Sequence, residues 1–219
     1  MAIRGYKLTH DSGFAPNPFH GCLTLATCRP PVRRCRKPGD WIAGFASQQL
    51  VVRARQNGVT IPFMGLIYLA KVSEVIPLAS YFEDQRFALK KPKKGSPHEI
   101  ERAGDNIYFQ NAQGHYRQLP NDHHLPGDMD HDLGGVNSLI CKDFWYLGRK
   151  AIVPEGGWGS ILGSQDIGSA RLFALPADFK DSMLAIFHAN GIKPGVNADP
   201  CLWKNPASPR SSCGARRAA

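Results

Sequence analysis

Apolar residues in this chain fall into short blocks separated by glycine, proline and charged stretches. Asp40-Trp41-Ile42-Ala43-Gly44-Phe45 follows the turn pair Pro38-Gly39 and alternates, which predicts a half-buried strand. Phe63 to Val75 (FMGLIYLAKVSEV) is β-branched and aromatic and reads as one long strand, with Gly65 inside it as a bulge position. Pro77 to Asp84 opens on proline and spaces its apolar residues at helical intervals, predicting a short helix. Asn106–Phe109 and His115–Leu119 flank Asn111-Ala112-Gln113-Gly114, a hairpin signature. A second hairpin is predicted within Leu139 to Val153, around Gly148-Arg149. Pro176 to Asn190 gives the clearest helix. Asp178 and Asp181 lie near its start, Phe179, Met183, Leu184 and Phe187 form a stripe, and Gly191 ends it.

These strands do not alternate regularly with helices, so the expected class is α+β. It would be a curved, mostly antiparallel sheet or a small β-barrel, with two or three flanking helices. The pattern ends near residue 204. Residues 1–204 read as one domain, and 205–219 (NPASPRSSCGARRAA) as a basic, disordered tail. A 42% hydrophobic share against 21% charged residues excludes a disordered chain as a whole. Twenty-two glycines and 17 prolines exclude a helical bundle, and no internal repeat points to a solenoid. The longest apolar run, Phe63–Ala70, suits a buried strand and is too short to span a membrane, so no membrane partner is expected. The first residues, MAIRGYKLTHD, hold no hydrophobic leader. A cytoplasmic setting with reduced thiols is therefore expected for Cys22, Cys28, Cys35, Cys141, Cys201 and Cys213.

Charge adds a partner class. Lys and Arg number 27 against 18 Asp and Glu, a formal net of +9, which favours an anionic partner such as a nucleotide or nucleic acid. Arg29, Arg33, Arg34, Arg36 and Lys37 lie within nine residues among prolines, either a phosphate-binding patch or a solvated basic face. If that segment is extended, Arg33 and Arg34 point opposite ways. Just before it, His10 to Gly21 (HDSGFAPNPFHG) is a rigid irregular loop. It reads as a ligand pocket in which Phe14 and Phe19 stack on a planar group while His10, Asp11, Asn17 and His20 bond its edge; alternatively, it is a turn with a buried aromatic plug. Trp41 fits either the core or a stacking platform.

Asp122, His123, His124, Asp128, Asp130, His131 and Asp132 form an Asp/His-rich stretch. Its spacing matches neither a helical His pair nor a calcium loop, so no metal is expected there. Cys22, Cys28 and Cys35 are too widely spaced for a zinc knuckle. There is no G-x-S-x-G, no Walker A motif, no G-x-G-x-x-G after a strand and no deaminase signature, and no cofactor is expected. Cys28 beside Arg29 has the setting of a nucleophile, but no histidine partner can be matched to it along the chain.

The strings Tyr6-Lys7-Leu8, HDSGFAPNPFHGCLTLATCRPPVRR, KPGDWIAGFAS, GLIYLAKVSEVIPLASYFED, GDNIYF, DHH and DFWYLG occur in that order. Over about residues 5–155 the chain resembles the nucleotide modification associated domain 2 family. The resemblance implies a role beside prokaryotic and phage DNA base-modification systems. Family motif positions fall on His10, Asp11, Phe14, Asn17, Phe19, Thr24, Thr27, Cys28, Arg33, Arg34, Asp40, Trp41, Asp105, Asn106, His123 and His124. The pattern around Gly39-Asp40-Trp41 is also similar to PUA-like barrels, which hold a modified base in an aromatic pocket. The leading expectation is recognition of a modified nucleotide or base, with DNA rather than RNA as the polymer partner. In it Phe14, Phe19 and Trp41 stack, and Asp11, Asn17 and Asn106 read the base edge. Arg33 or Arg34 holds phosphate, while His20, Thr24, Cys28, Asp40 and Asp105 complete the nucleotide-binding set. Two alternatives stand beside it: an enzyme using His10, Asp11, His123 or His124 in acid–base chemistry, and a structural partner in a modification complex.

Overall fold

The computed structural model describes residues 1–163 and 172–204. The chain enters through β1 (Ile3–Leu8), crosses the His10–Gly21 loop and forms β2 (Leu23–Leu25), α1 (Pro30–Cys35), β3 (Trp41–Ala46) and α2 (Gln48–Gln56). β4 (Leu66–Lys71) and β5 (Glu74–Pro77) follow, then α3 (Leu78–Glu83), α4 (Glu99–Arg102) and the hairpin β6 (Tyr108–Gln110) and β7 (Tyr116–Gln118). After α5 (Met129–Leu133) come β8 (Asn137–Cys141) and β9 (Asp143–Tyr146), then α6 (Gly159–Leu162), β10 (Leu172–Ala174), α7 (Phe179–Ala189) and β11 (Gly195–Val196).

Six strands form one sheet in the order β10-β1-β3-β4-β9-β11, and β2-β8-β5 form a second. Pairing is antiparallel except between β1 and β3 and between β9 and β11. The two sheets share a bent ribbon: β4 runs into β5 and β8 into β9, and the two chains stay paired across the bend through Ser73 N–H to the Ile140 oxygen and Lys142 N–H to Ser73 Oγ. Both sheets stay open, so among the described residues the architecture is mixed α/β without a closed barrel. β10 and β11 end the larger sheet as separate edges.

Alternation along β3 explains the layering. Trp41, Ala43 and Phe45 face α7, where Phe179, Met183 and Phe187 cover them. Ile42 and Ala46 face the other way, into a core closed by Leu50 and Ala54 of α2 and by Leu23, Leu25, Leu139 and Cys141 of the smaller sheet. β3 is therefore buried on both faces, not half-buried. The predicted strand Phe63–Val75 divides into β4 and β5 at Val72-Ser73, where the ribbon bends from one sheet to the other, and its extra residue is Ile67, opposite Gly44 and Phe45 of β3, rather than Gly65. The expected hairpin around Gly148 is instead the β8–β9 bend followed by a single 3-10 turn, Gly148–Lys150. The helix at Pro77, the hairpin around residues 111–115 and α7 lie where the pattern puts them. Among the described residues seven α-helices occur rather than two or three, although only α2 and α7 exceed six residues. The predicted tail, 205–219, lies outside the described residues.

Behind the smaller sheet a buried polar network fixes the His10–Gly21 loop. The Lys90 ammonium donates to Asn17 Oδ1 at 2.8 Å, to the Cys22 oxygen at 2.9 Å and to the Asn17 oxygen at 3.2 Å. The Asn17 amide donates to the Ala103 oxygen at 2.8 Å. Asp105 accepts from Thr24 Oγ1 and Tyr81 Oη, both at 2.8 Å, and from Ala26 N–H at 3.3 Å. Burial raises the Asp105 carboxyl, and the Lys90 charge and these donors work against that shift. A buried charge stripped of its partner is costly, about 3–5 kcal/mol. Asp105→Ala is therefore expected to lower unfolding free energy by about that amount, read as a fall in the urea midpoint.

Candidate functional site

The site is built where β2 hands over to α1. Leu23 and Leu25 bury both ends of the short strand, and Pro30-Pro31 supply the fixed φ of a first helical turn. Between them Cys28 and Arg29 both sit in the left-handed region, at φ 55° and 44°. That conformation costs a non-glycine residue about 1–2 kcal/mol, so neighbouring contacts must impose it. Cys28 N–H donates to Asp132 Oδ1 at 2.7 Å, and the Cys28 oxygen accepts from Arg33 Nε at 2.8 Å. The Arg29 oxygen accepts from Val32 N–H at 2.9 Å and Arg33 N–H at 3.2 Å. A sharp strand-to-helix turn of this kind presents its side chain to a cleft, the arrangement used for nucleophiles in other folds.

Asp132, on α5, joins this turn to the Asp/His-rich stretch. Its Oδ2 accepts from Tyr108 Oη at 2.8 Å and lies 3.0 Å from His124 Nδ1. The other ring nitrogen, His124 Nε2, is 3.3 Å from Cys28 Sγ. Cys28, His124 and Asp132 thus form a continuous sulphur–imidazole–carboxylate line, 96 and 8 residues apart in sequence. Burial works against a charge on His124, but the bonds to Asp132 and Cys28 outweigh it and push the imidazole up to about 10. The same burial would raise Asp132, yet His124, Tyr108 and Arg33 hold its carboxyl below the usual value. Gly135 lets the segments approach: a Cβ there would lie 2.7 Å from Pro30 Cα.

Cys28, His124, His123, Phe14, His10, Arg29 and Asp128 line a cavity of about 300 Å³ with Thr9 and Ser12. Phe14 stacks on His123 with ring centroids 4.6 Å apart and meets His124 edge-on at 4.9 Å. Burial holds His123 down at about 4, so its ring is neutral at neutral pH. His10 is exposed at the rim against the Arg53 guanidinium; partial burial and that charge both lower its pKa. Arg29 lies 5.1 Å over the Tyr6 ring and donates to the Lys7 oxygen.

Of the residues singled out in sequence, His10, Phe14, Cys28, Arg29, His123, His124 and Asp128 converge on this cavity. The rest lie elsewhere. Arg33 is fully buried, out of reach of a phosphate, and donates to the oxygens of Cys28, Asp132, Gly135 and Asn137, while Arg34 is exposed on the other side of α1. The segment is helical, not extended, which is what separates the two. Asp11 is buried and accepts from Tyr146 Oη and Cys201 N–H, tying the loop to the C-terminal strap. Phe19 stacks on Trp203 at 5.4 Å, and Trp41 packs against Trp145 at 6.3 Å in the core under α7, out of reach of a ligand. Asp40 caps the turn before β3 through Ala2 and Lys37 N–H. Asn17, Thr24 and Asp105 belong to the buried network, and Asn106 donates to the oxygens of Tyr81 and Phe87. His20 is exposed and lines a separate hollow beside Lys142. In sequence Asp132 is one member of an Asp/His-rich stretch, and no periodicity singles it out. Among the described residues no three His, Cys, Asp or Glu side chains could hold a metal ion, and no helix is long and apolar enough to cross a membrane.

This is a mixed α/β protein whose central cleft carries a cysteine, a histidine and a carboxylate in line. It belongs to the nucleotide modification associated domain 2 family, whose sequence model matches residues 1–200. That family name ties the chain to nucleotide-modification systems, with nucleotides or nucleic acids as the associated partners. No curated protein and no solved structure matches the chain.

The His124 value fixes a pH dependence. A folded-state pKa of about 10, above the ordinary 6.5, gives stability that is complete below pH 6.5 and is lost as pH rises through about 10. The melting-temperature advantage of the wild type over His124→Gln should be largest near pH 6 and shrink toward pH 10; an advantage that does not change with pH contradicts the imidazolium assignment.

Proposed function

We propose that this protein is an enzyme of nucleotide modification that works by covalent catalysis, with Cys28 as its nucleophile. The observation that carries this reading is the line from Cys28 Sγ to His124 Nε2 to Asp132, at 3.3 and 3.0 Å. A nucleophile, a base within reach and a third group orienting the base are the recurring parts of acyl- and related group-transfer sites. Cys28 supplies the attacking sulphur, His124 is the imidazole that exchanges its proton, and Asp132 is a positioning residue that fixes the ring through Nδ1. A nucleobase would lie in the 300 Å³ cavity against Phe14 and His123, with Arg29 and the His10–Arg53 pair on its anionic side.

A second reading keeps the same cavity but omits turnover: a reader of a modified base, in the manner of PUA-like domains. The Phe14–His123 stack favours it, because buried Phe14 covers one face of a neutral imidazole and holds that ring in the cavity wall, and stacking a base on one aromatic contributes about 1–3 kcal/mol.

Site-resolved alkylation tests the nucleophile. Cys28 is half-buried and Cys35 exposed, so both are open to iodoacetamide, and Cys35, with no histidine partner among the described residues, serves as an internal reference. His124→Ala is expected to slow Cys28 alkylation at neutral pH by about tenfold or more while leaving Cys35 unchanged. Equal rates at Cys28 in both proteins remove the nucleophile assignment. Nucleotide binding separates the readings: Phe14→Ala should weaken it under both, whereas Cys28→Ser should abolish turnover and spare binding only if the protein is an enzyme.

A further inference from the structure

Cys28 stands at a boundary between two cavities. One is the 300 Å³ cavity of Phe14, His123 and His124. The other, about 690 Å³, opens on the α1 side and is lined by Tyr6, Lys7, Pro31, Gln48, Gln49 and His131 among others. Thr9, Cys28 and Arg29 line both. A hydrolase needs one organic site and water. A cysteine that borders both cavities, with its histidine on one side only, suits a reaction in which a group arrives from one cavity and leaves into the other.

Building on the nucleophile reading, we infer that the protein is a ping-pong transferase that moves an acyl group from an activated donor to the exocyclic amine of a nucleobase. The donor occupies the larger cavity. Lys7 and Arg29 put positive charge on the wall of that cavity, which favours a leaving group that departs as an anion. The nucleobase occupies the smaller cavity, which has the flat Phe14–His123 wall and direct access to His124.

The steps balance. The Cys28 thiolate adds to the donor carbonyl, a C–S bond forms, and the bond from that carbon to the leaving group breaks, releasing an anion and leaving a thioester. The proton held on His124 passes to solvent with that anion. The amine then attacks the thioester from the smaller cavity, a C–N bond forms and the C–S bond breaks. His124 takes the amine proton, which restores the thiolate–imidazolium pair. No oxidation or reduction occurs.

p-Nitrophenyl acetate, whose leaving group departs as nitrophenolate, is a suitable probe donor for the full chain. Peptide mapping should find a single acetyl group on Cys28, absent in Cys28→Ser. The acetyl-enzyme is then chased with dAMP, dCMP, dGMP, dTMP, a single-stranded oligodeoxynucleotide of all four bases, or buffer. At least one amine-bearing nucleotide or the oligonucleotide should discharge it more than tenfold faster than dTMP or buffer and itself become acetylated. Phe14→Ala should slow this discharge and not the charging, whereas Gln49→Trp, which fills the larger cavity, should slow charging and not discharge. If acetyl-Cys28 forms but decays to acetate at one rate with every acceptor, the transferase proposal falls and the nucleophile stands. If Cys28 is not acetylated, or only Cys35 is, both fall.

Discussion

The carboxylate of Asp132 is the interaction on which the cleft depends. One buried group accepts a main-chain N–H from Cys28, a hydroxyl from Tyr108 and the Nδ1 side of His124, with Arg33 nearby. Each bond comes from a different part of the chain: the β2–α1 turn, β6, the stretch after β7, and α1. A buried carboxylate is tolerable only when donors surround it, and the same donors give it a positioning function. The bond to Cys28 N–H helps hold two consecutive left-handed residues, and the bond to His124 keeps the ring aimed at sulphur. Strain in the turn and order in the site therefore have one cause.

The basic residues divide between structure and chemistry in a way that net charge does not reveal. Arg33 and Lys90 are buried and bind main-chain oxygens, so they organise loops instead of attracting anions. Lys90 with Asn17 and Asp105 pins the His10–Gly21 loop from behind, while Asp11 pins it to the C-terminal strap and Phe19 to Trp203. What this rigid loop offers the cleft is Phe14, Ser12 and His10. The loop reads in sequence as either a pocket or a plug. In the structure most of its side chains serve as anchors and a few face the cavity.

Burial sets one histidine of the cleft and hydrogen-bond partners set the other. His123 and His124 are adjacent in sequence, yet burial dominates the first and holds it neutral, and the Asp132 and Cys28 bonds dominate the second and hold it charged. One ring can serve as a stacking surface beside another that carries protons.

Periodicity determined much of the fold. α7, α3 and the β6–β7 hairpin lie where apolar spacing and turn residues place them, because those signals are local. α1 and α2 were missed: prolines and arginines mask the first, and glutamines and arginines outnumber the apolar stripe of the second. The resemblance around residues 10–41 and 122–124 was legible too, and it named Cys28 and His124 as motif positions. Nothing local could pair them. They are 96 residues apart, and only the packing of α5 against α1, at the close approach of Gly135 and Pro30, brings Asp132 under the Cys28 turn. The sequence by itself determined which residue types are available and which segments are rigid. Tertiary structure decided which of them meet, because burial and hydrogen-bond partners, not residue identity, turned Arg33 and Asp11 into anchors and set Cys28 against His124.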